Sequence, residues 1–409
     1  MEFEGSQGVA EGMRAEIRAV LSLLAGRHKR VRDGHPWVYS NEIAMDAVAK
    51  KLTPGVLVNL AAANGEALGV AMFNPRTLIA ARVIDRNPAV TVSASYVASK
   101  LAAALALRER LYPGGFYRLI HAEADGLPGL IIDRYGTLAV VQANAAGADR
   151  LLPAILDALD AVLSPATVVL RNDSPARALE GLGEEVLVAK GALGERVEVV
   201  ENGARYFVDL RAGQKTGWFY DQRDNRAEVA RLAAGARVLD VYAYVGSFAL
   251  ACVRAGAREA IAVDRSAAAL ELARESAERN GVTDTVQFVR AEAFAELERL
   301  GAAGERFDIV VADPPAFVKS RKDLAAGVRG YRKLARLAAH LVAPRGFLFI
   351  ASCSHNVDRA TFDEQVTRGL RDAERSGRLL RASGAALDHP VHPALPESAY
   401  LKGSLFQLD

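Results

Sequence analysis

The sequence predicts an α/β protein, because its C-terminal half alternates short apolar runs with helical patterns. The predicted strands span residues 238–242, 260–263, 286–289, 309–312, 347–351 and 400–408. The predicted helices span residues 248–255, 267–280 and 328–342. Alternation of this kind is typical of a parallel sheet that is covered by helices on both faces.

The N-terminal half has a different pattern, in which short strands are separated by turn signals. The dipeptides Asn64-Gly65 and Asn74-Pro75 separate three apolar runs, and this spacing favours a small β-barrel. A helix over residues 96–111 then opens a second α+β unit. Boundaries near residues 93 and 200 therefore divide the chain into a tail (1–24), a barrel domain (25–93), a central α+β domain (94–200) and a C-terminal domain (201–409).

Composition excludes several classes of protein. Of the 409 residues, 51% are hydrophobic, which supports folded cores and argues against disorder. Two cysteines cannot form a disulfide framework, and no Cys/His cluster has the spacing of a metal site. No apolar run reaches the roughly 18 residues of a membrane span, and the first residues do not resemble a signal peptide. We therefore expect a cytoplasmic protein without a membrane or metal partner.

A strand, a tight turn and a helix follow one another around Gly246, which allows a ligand to approach the backbone closely. Asp240 and Tyr242 precede Gly246, while Asp264 ends the next strand near the position expected of a ribose-binding acid. Glu292, after the third strand, is placed to reach an adenine amino group. With a single glycine the pattern favours a nucleoside ligand without a pyrophosphate, such as S-adenosylmethionine. Alternatively, Asp240 and Asp264 only cap helices.

Cys353 and Asp313 each follow a buried apolar run. A thiolate that adds to C6 of a cytosine makes C5 nucleophilic, which is covalent catalysis. Asp313 fits the acid that this chemistry needs at N3, provided that its pKa is raised. The alternative for Cys353 is a small core residue, and for Cys252, in mid-helix, that alternative is preferred.

Six motifs carry a resemblance to a known family. They are HPWVYS at residues 35–40, EADGLPGL at 123–130, GQKTGWFYDQR at 213–223, DPPAF at 313–317, SCS at 352–354 and YLKG at 400–403. With these motifs the chain resembles, from about Ala25 onward, the class I S-adenosylmethionine-dependent 23S rRNA methyltransferases of the RlmI type, which form 5-methylcytosine.

The resemblance implies a PUA-like domain, a central domain of the EEHEE type and a Rossmann-like methyltransferase domain with a mostly parallel seven-stranded sheet. It implies S-adenosylmethionine as the cofactor, with Asp313 among its contacts and Gln214, Thr216 and Arg223 near its methionine end. It also implies 23S rRNA as the partner, and it makes a homodimer possible. The family often has Asp where Glu292 stands.

Two clusters of basic residues are candidates for RNA binding. Arg30 and Arg32 precede the HPW motif, where phosphate-binding cations beside an aromatic ring suit single-stranded RNA. Lys319, Arg332 and Lys333 follow the Asp313 segment, the last two on the polar face of a predicted helix. The alternative is that this stripe is an ordinary solvated helix face, and that Trp37 is a core residue.

Two other functions stay open at this point. A methyltransferase acting on guanine or an exocyclic amine would need no covalent adduct, although Ala316 separates the DPP motif from the aromatic ring that an amine-methylating enzyme needs. A non-catalytic RNA-binding or ribosome assembly factor would keep the cofactor pocket without using it. Ala316 also stands where some related enzymes have a second cysteine, so no thiol there can remove the C5 proton.

Overall fold

The structure is a computed structural model that describes residues 18–409. Residues 1–17 of the predicted tail lie outside the described residues. The end of that tail forms strand β1 (Val20–Ser22), which pairs in parallel with strand β3 (Val56–Ala61). The chain therefore enters the first domain a few residues before the predicted boundary at residue 25.

The first domain is a five-stranded sheet with the strand order β1-β3-β4-β5-β2. Its remaining elements are α1 (Lys29–Arg32), β2 (Trp37–Tyr39), β4 (Ala67–Phe73) and β5 (Ile79–Asp85). Apolar side chains such as Val58 and Phe73 form its core. Arg82 connects this domain to the next one, because its guanidinium lies 2.9 Å from Glu123 and 3.0 Å from Glu180.

The central domain is the predicted α+β unit, and its sheet has the order β10-β9-β8-β7-β6. Its elements are α2 (Ala94–Leu111), β6 (Phe116–His121), β7 (Leu130–Tyr135), β8 (Leu138–Ala143), α3 (Ala146–Arg150), α4 (Leu152–Leu163), β9 (Thr167–Asn172), α5 (Ala176–Leu179) and β10 (Glu185–Lys190). The Ser93 hydroxyl accepts a hydrogen bond from the backbone N–H of Tyr96 and so caps α2 at the predicted boundary.

A hairpin of strands β11 (Val197–Glu201) and β12 (Ala204–Val208) connects the central domain to the C-terminal one. The boundary predicted near residue 200 falls inside this hairpin. Val199 and Tyr206 pack into the same core cluster as Val238 of the C-terminal sheet. The limit drawn by the structure therefore lies before β11.

The C-terminal domain is a seven-stranded sheet with the order β15-β14-β13-β16-β17-β19-β18, in which only β19 is antiparallel to its neighbours. The strands are β13 (Arg237–Val241), β14 (Glu259–Asp264), β15 (Val286–Arg290), β16 (Phe307–Ala312), β17 (Val342–Ser352), β18 (Gly377–Ser383) and β19 (Lys402–Leu408). The helices are α6 (Arg223–Ala230), α7 (Ser247–Arg254), α8 (Ala267–Asn280), α9 (Ala293–Ala302), α10 (Leu324–Leu341) and α11 (Arg359–Asp372). The predicted mostly parallel sheet is confirmed.

The strand order reverses between β13 and β16, since β13 pairs with β14 on one side and with β16 on the other. Ligands of open α/β sheets bind beyond the carboxyl ends of the strands at such a reversal. This edge carries the turn after β13, Asp313 after β16 and Cys353 after β17. Within residues 18–409, no helix has the length and apolar character that crossing a membrane requires.

Candidate active site

Cys353 and Asp313 lie together at the carboxyl edge of the sheet. Each is the first residue after its strand, and β16 and β17 are parallel neighbours, with Ala312 in register with Ile350. The Sγ atom of Cys353 is 4.0 Å from the carbonyl oxygen of Pro314. Both residues are partly exposed, and the charge of Asp313 acts on the Cys353 thiol.

The backbone around Cys353 is fixed by a buried network of hydroxyl groups. The Tyr331 hydroxyl, from α10, lies 2.8 Å from the hydroxyls of both Ser352 and Ser354. The backbone N–H of Val318 donates to Ser354 Oγ at 3.1 Å, which ties the Asp313 loop to the Cys353 loop. These residues are almost completely buried. A buried network whose hydrogen bonds are all satisfied is rigid, so it fixes the position of the Cys353 backbone.

Burial controls the protonation of the two reactive groups. Burial, together with the charge of nearby Asp221, raises the pKa of Asp313 to about 7. Burial also raises the pKa of the Cys353 thiol. The Lys215 ammonium opposes both shifts, because a positive charge favours the thiolate and the carboxylate. Asp313 can therefore hold a proton near neutral pH, as the predicted acid must.

Lys215, Asp221 and Tyr400 form a charged cluster beside the thiol that the sequence reasoning missed. Lys215 Nζ lies 3.1 Å from Asp221 Oδ2, and the Tyr400 hydroxyl donates to the same oxygen at 2.5 Å. Burial alone would raise the pKa of Asp221, but its cationic neighbours and Tyr400 hold it below its usual range. The GQKTG and YLKG motifs contain Lys215 and Tyr400, but their spacing gives no sign that the two residues meet.

Lys402 stabilises the loop that follows Cys353. Its Nζ donates to the carbonyl oxygens of Ser354, Val357 and Tyr400 at 2.7, 2.8 and 2.7 Å. Burial lowers the pKa of Lys402 to about 8. This side chain is committed to backbone carbonyls, so its role is to hold the Cys353 loop in place.

The turn after β13 has the conformation of a ligand-binding loop. Gly246 has φ of 72°, and a Cβ there would lie 3.3 Å from the Ala273 side chain. Tyr242 and Tyr244 also have positive φ, 63° and 51°, which is strained for residues with side chains. Asp264 Oδ2 accepts the Tyr244 N–H at 2.9 Å and so holds the strained turn.

Three acids were predicted to bind the cofactor: Asp240, Asp264 and Glu292. Asp240 is buried, and its contacts are structural. It accepts the N–H of Ala249 at 3.0 Å, and burial raises its pKa to about 8. Asp264 is partly exposed at the end of β14, and each of its oxygens accepts one backbone N–H, from Tyr244 and Ser266. A carboxylate has about four acceptor positions, so Asp264 can still accept ribose hydroxyls. Glu292 is exposed and caps α9 through Ala295 N–H at 3.1 Å.

The three residues expected near the methionine end do not lie together. Gln214 is exposed, and its backbone N–H contacts the Tyr244 hydroxyl at 3.3 Å, next to the turn. Thr216 is buried and donates to Asp133 of the central domain. Arg223 is buried against Glu201 and lines a different pocket. The structure places Arg223 at the contact between the C-terminal and central domains, where its guanidinium donates to the carbonyl oxygen of Phe116.

The predicted RNA-binding cations mostly contact acidic residues. Arg30 pairs with Glu42, Arg32 with Glu66, and Arg332 with Asp372 at 2.5 Å. Lys333 Nζ lies 2.9 Å from Glu298 and over the Phe294 ring. Lys319 is exposed on the loop after Asp313. The alternative of an ordinary solvated helix face therefore describes Arg332 and Lys333 better.

Two further expectations concern thiols and metals. Cys252 is fully buried in α7, and burial raises its pKa, so it is a core residue as predicted. Between residues 18 and 409, no group of His, Cys, Asp and Glu side chains is arranged to hold a metal ion.

Trp37 is only partly buried, and its indole N–H donates to Glu123 at 2.7 Å, so it is not a simple core residue.

The comparisons with known proteins identify the domains and the family of this chain. Residues 168–394 match the S-adenosylmethionine-dependent methyltransferase family, and residues 21–86 match a PUA-like domain. The ribosomal RNA large subunit methyltransferase I of Photobacterium profundum is 37% identical over 387 residues, which cover 93% of this chain and 97% of that protein. Its counterpart from Aeromonas hydrophila is 37% identical over 393 residues, covering 95% and 98%.

Solved structures share the whole fold. A Streptococcus mutans protein described as a SAM-dependent methyltransferase has a TM-score of 0.80 at 21% identity, covering 95% of this chain and 100% of that one. A methyltransferase structure complexed with SAH has a TM-score of 0.81 at 21% identity, covering 96% and 100%.

The sheet order and the turn at its reversal define a class I S-adenosylmethionine-dependent methyltransferase, and the chain belongs to that family. Within it, the chain belongs to the family of the ribosomal RNA large subunit methyltransferase I proteins. S-adenosylmethionine is the cofactor. The Gly246 turn and the free acceptor positions of Asp264 fit its nucleoside.

Proposed function

We propose that this protein methylates C5 of a cytosine in 23S ribosomal RNA through a covalent bond between Cys353 and C6. The observation that carries the proposal is the contact of the Cys353 thiol with the carbonyl oxygen of Pro314, the residue after Asp313, at 4.0 Å. A methyltransferase that acts on guanine or an amine needs no thiol at this position. The relatives' names support ribosomal RNA as the substrate.

In the first step, the Cys353 thiolate forms a bond to C6 of the cytosine, and the ring electrons shift toward N3. Asp313 donates its proton to N3, which leaves a neutral enamine with a nucleophilic C5. A pKa of about 7 supports this role, because a large fraction of Asp313 is protonated near neutral pH. Bound S-adenosylmethionine supplies the electrophilic methyl group that C5 takes.

In the second step, a base removes the C5 proton and the bond between C6 and the Cys353 sulfur breaks. N3 returns its proton to the Asp313 carboxylate, so the enzyme recovers its starting thiolate and acid. Ala316 provides no thiol, so elimination proceeds without a second cysteine at that position. Lys215 stabilises the thiolate both as nucleophile and as leaving group.

The positions of the residues around the Gly246 turn support the following cofactor contacts. Asp264 is assigned to the ribose, Glu292 to the adenine amino group, and Gln214 to the methionine end, while Asp240, Tyr242 and Gly246 shape the turn. We further propose that the protein works in the cytoplasm, where its two free thiols would stay reduced. A homodimer stays a prediction.

Mass-spectrometric mapping of ribosomal RNA tests the proposal. A strain that lacks this protein is expected to lose one 5-methylcytosine from 23S rRNA. Wild-type protein and the control Cys252→Ala should restore it, and Cys353→Ala should not. Restoration by Cys353→Ala would overturn the covalent mechanism, and loss of a methylated purine instead would favour the guanine or amine alternative.

A further inference from the structure

A cavity of about 580 Å³ opens next to the Cys353 site, where all three domains meet. Its lining includes Trp37 of the first domain, Gln142 and Asn144 of the central domain, and Lys215, His355 and Tyr400 of the C-terminal domain. Neither the Gly246 turn nor Asp264 lines it. The volume lies within the range of about 300–1,000 Å³ that is typical of ligand pockets.

The cavity adjoins the reaction site, because Lys215 and His355 line it. His355 follows Cys353 by two residues, and its ring stacks on Tyr400 at 5.1 Å between centroids. The charge of Lys215, which lines the cavity, acts on the Cys353 thiol. A polymer that presents one base to Cys353 therefore has its neighbouring nucleotides close to this cavity.

The charged residues of the cavity are mostly neutralised by the protein itself. Arg118 pairs with Asp133 at 2.9 Å, and Arg171 pairs with Asp173 at 2.7 Å. Burial lowers the pKa of His355, so its ring is neutral near pH 7. What the cavity offers to a ligand is chiefly aromatic rings and side-chain amides, which suit a nucleobase better than a phosphate.

Gln142 orients the side-chain amide of Asn144, whose oxygen is left without a hydrogen-bond partner. Gln142 Nε2 donates to the carbonyl oxygen of Arg171 at 2.8 Å, and Gln142 Oε1 accepts from Asn144 Nδ2 at 3.2 Å. Asn144 Oδ1 is buried and has no hydrogen-bond partner. An unsatisfied buried acceptor is unfavourable, and the amino or imino group of a base would supply the missing hydrogen bond.

The backbone around the cavity is strained on two sides. Ala122 and Lys215 both line it, and their φ angles are 47° and 51°. Strained residues with side chains concentrate at ligand sites, where the strain fixes the shape of the site.

We propose that this cavity binds the base of a nucleotide adjacent to the methylated one, stacking it on the ring lining and hydrogen-bonding it to Asn144. The proposal rests on the proposed function for its RNA substrate. It gives the enzyme a second point of base recognition, contributed mainly by the central domain.

The test measures RNA binding by fluorescence anisotropy, with S-adenosylhomocysteine present so that no turnover occurs. The probe is an RNA fragment carrying the mapped methylation site, intact or with a single abasic nucleotide at each neighbouring position. Ala124→Trp fills the cavity, because Ala124 lines it. Ala102→Trp, at an exposed position of α2, is the matched control.

We expect one abasic position to weaken wild-type binding about tenfold, within the range of single-base stacking. Ala124→Trp should weaken the binding of intact RNA by a similar factor. The abasic nucleotide should then have no further effect on binding to this variant, because the substitution and the missing base remove the same contact. Ala102→Trp should behave as wild type. Asn144→Leu, which leaves the cavity open, should also reduce the effect of the abasic position.

The proposal is overturned if both cavity variants keep the wild-type sensitivity at every position, or if no abasic position weakens wild-type binding. Thermal denaturation and S-adenosylmethionine affinity, both unchanged, confirm that the variants are folded. Because binding is measured without methyl transfer, failure of the Cys353 mechanism leaves this result standing, and the reverse also holds.

Discussion

Glu201 is enclosed by Arg223 and Arg226, the latter with its Nε 2.6 Å from Glu201 Oε1, and all three residues are almost completely buried. The Trp218 indole N–H donates to Glu201 at 3.0 Å. This ion cluster connects the β11–β12 hairpin to α6 and to the segment that carries Lys215 and Asp221. The position of the Lys215–Asp221–Tyr400 cluster therefore depends on a buried charge outside that cluster.

Glu201→Gln is expected to destabilise the protein by about 3–5 kcal/mol, because it leaves two buried guanidinium groups without a counter-charge. Urea denaturation measures the effect. Glu66→Gln is the matched control: its partner Arg32 is half exposed, so the loss should be about 1 kcal/mol or less. Equal effects of the two changes would contradict the structural role of the Glu201 cluster.

Asp313→Asn tests the acid through the pH dependence of single-turnover methylation. In wild type, the rate should rise with pH as the Cys353 thiolate forms. Near pH 7 the rate should level off, because the fraction of protonated Asp313 then falls as fast as the fraction of thiolate rises. The Asn variant should be slower by about 10²–10⁴-fold and keep rising through pH 7, because Asn does not titrate. A variant that levels off at the wild-type pH would contradict the assignment.

Lys215→Met should raise the pKa of the Cys353 thiol further, because the ammonium that opposes the effect of burial is removed. The rate of iodoacetamide alkylation as a function of pH reports this pKa, and buried Cys252 should not react. Lys215→Arg keeps the charge and should stay close to wild type. Overlapping profiles for Met and wild type would show that Lys215 does not act on the thiol.

Lys319→Ala and Arg332→Ala should differ in RNA binding. Lys319 is exposed beside the site, so its loss should reduce the slope of log affinity against log salt by about one. Arg332 is held by Asp372 at 2.5 and 2.9 Å, so its loss should leave the slope nearly unchanged. If Arg332→Ala reduced the slope more than Lys319→Ala, the polar face of α10 would be the RNA-binding surface.

Much of the methyltransferase sheet was predictable, because buried parallel strands are continuous apolar runs between turn signals. Helix α8 was predicted with its observed limits, since Ser266 caps it and Gly281 ends it. Strand β18 was missed because it is an exposed edge strand with charged residues. Helix α11 was also missed, because it is largely polar and its packing against α10 cannot be inferred from local sequence.

The candidate site was predictable only in part. Cys353 and Asp313 stand out because each follows an apolar strand, and adjacent parallel strands bring them together. The meeting of Lys215 with Tyr400 depends on the fold of residues 213–221 over the sheet, and no local pattern encodes it. The contact of Arg223 with the Phe116 carbonyl oxygen of the central domain likewise depends on tertiary packing.

The central claim is the bond between Cys353 and C6, and trapping that bond tests it most directly. In RNA with 5-fluorocytidine at the mapped position, C5 has no proton to lose, so the adduct cannot break down after methyl transfer. Wild-type protein with S-adenosylmethionine should give a covalent complex that survives denaturing electrophoresis, with the RNA attached to Cys353 by peptide mass spectrometry. A wild-type enzyme that methylates unmodified RNA under the same conditions but forms no such complex, or attaches through another residue, would contradict the account.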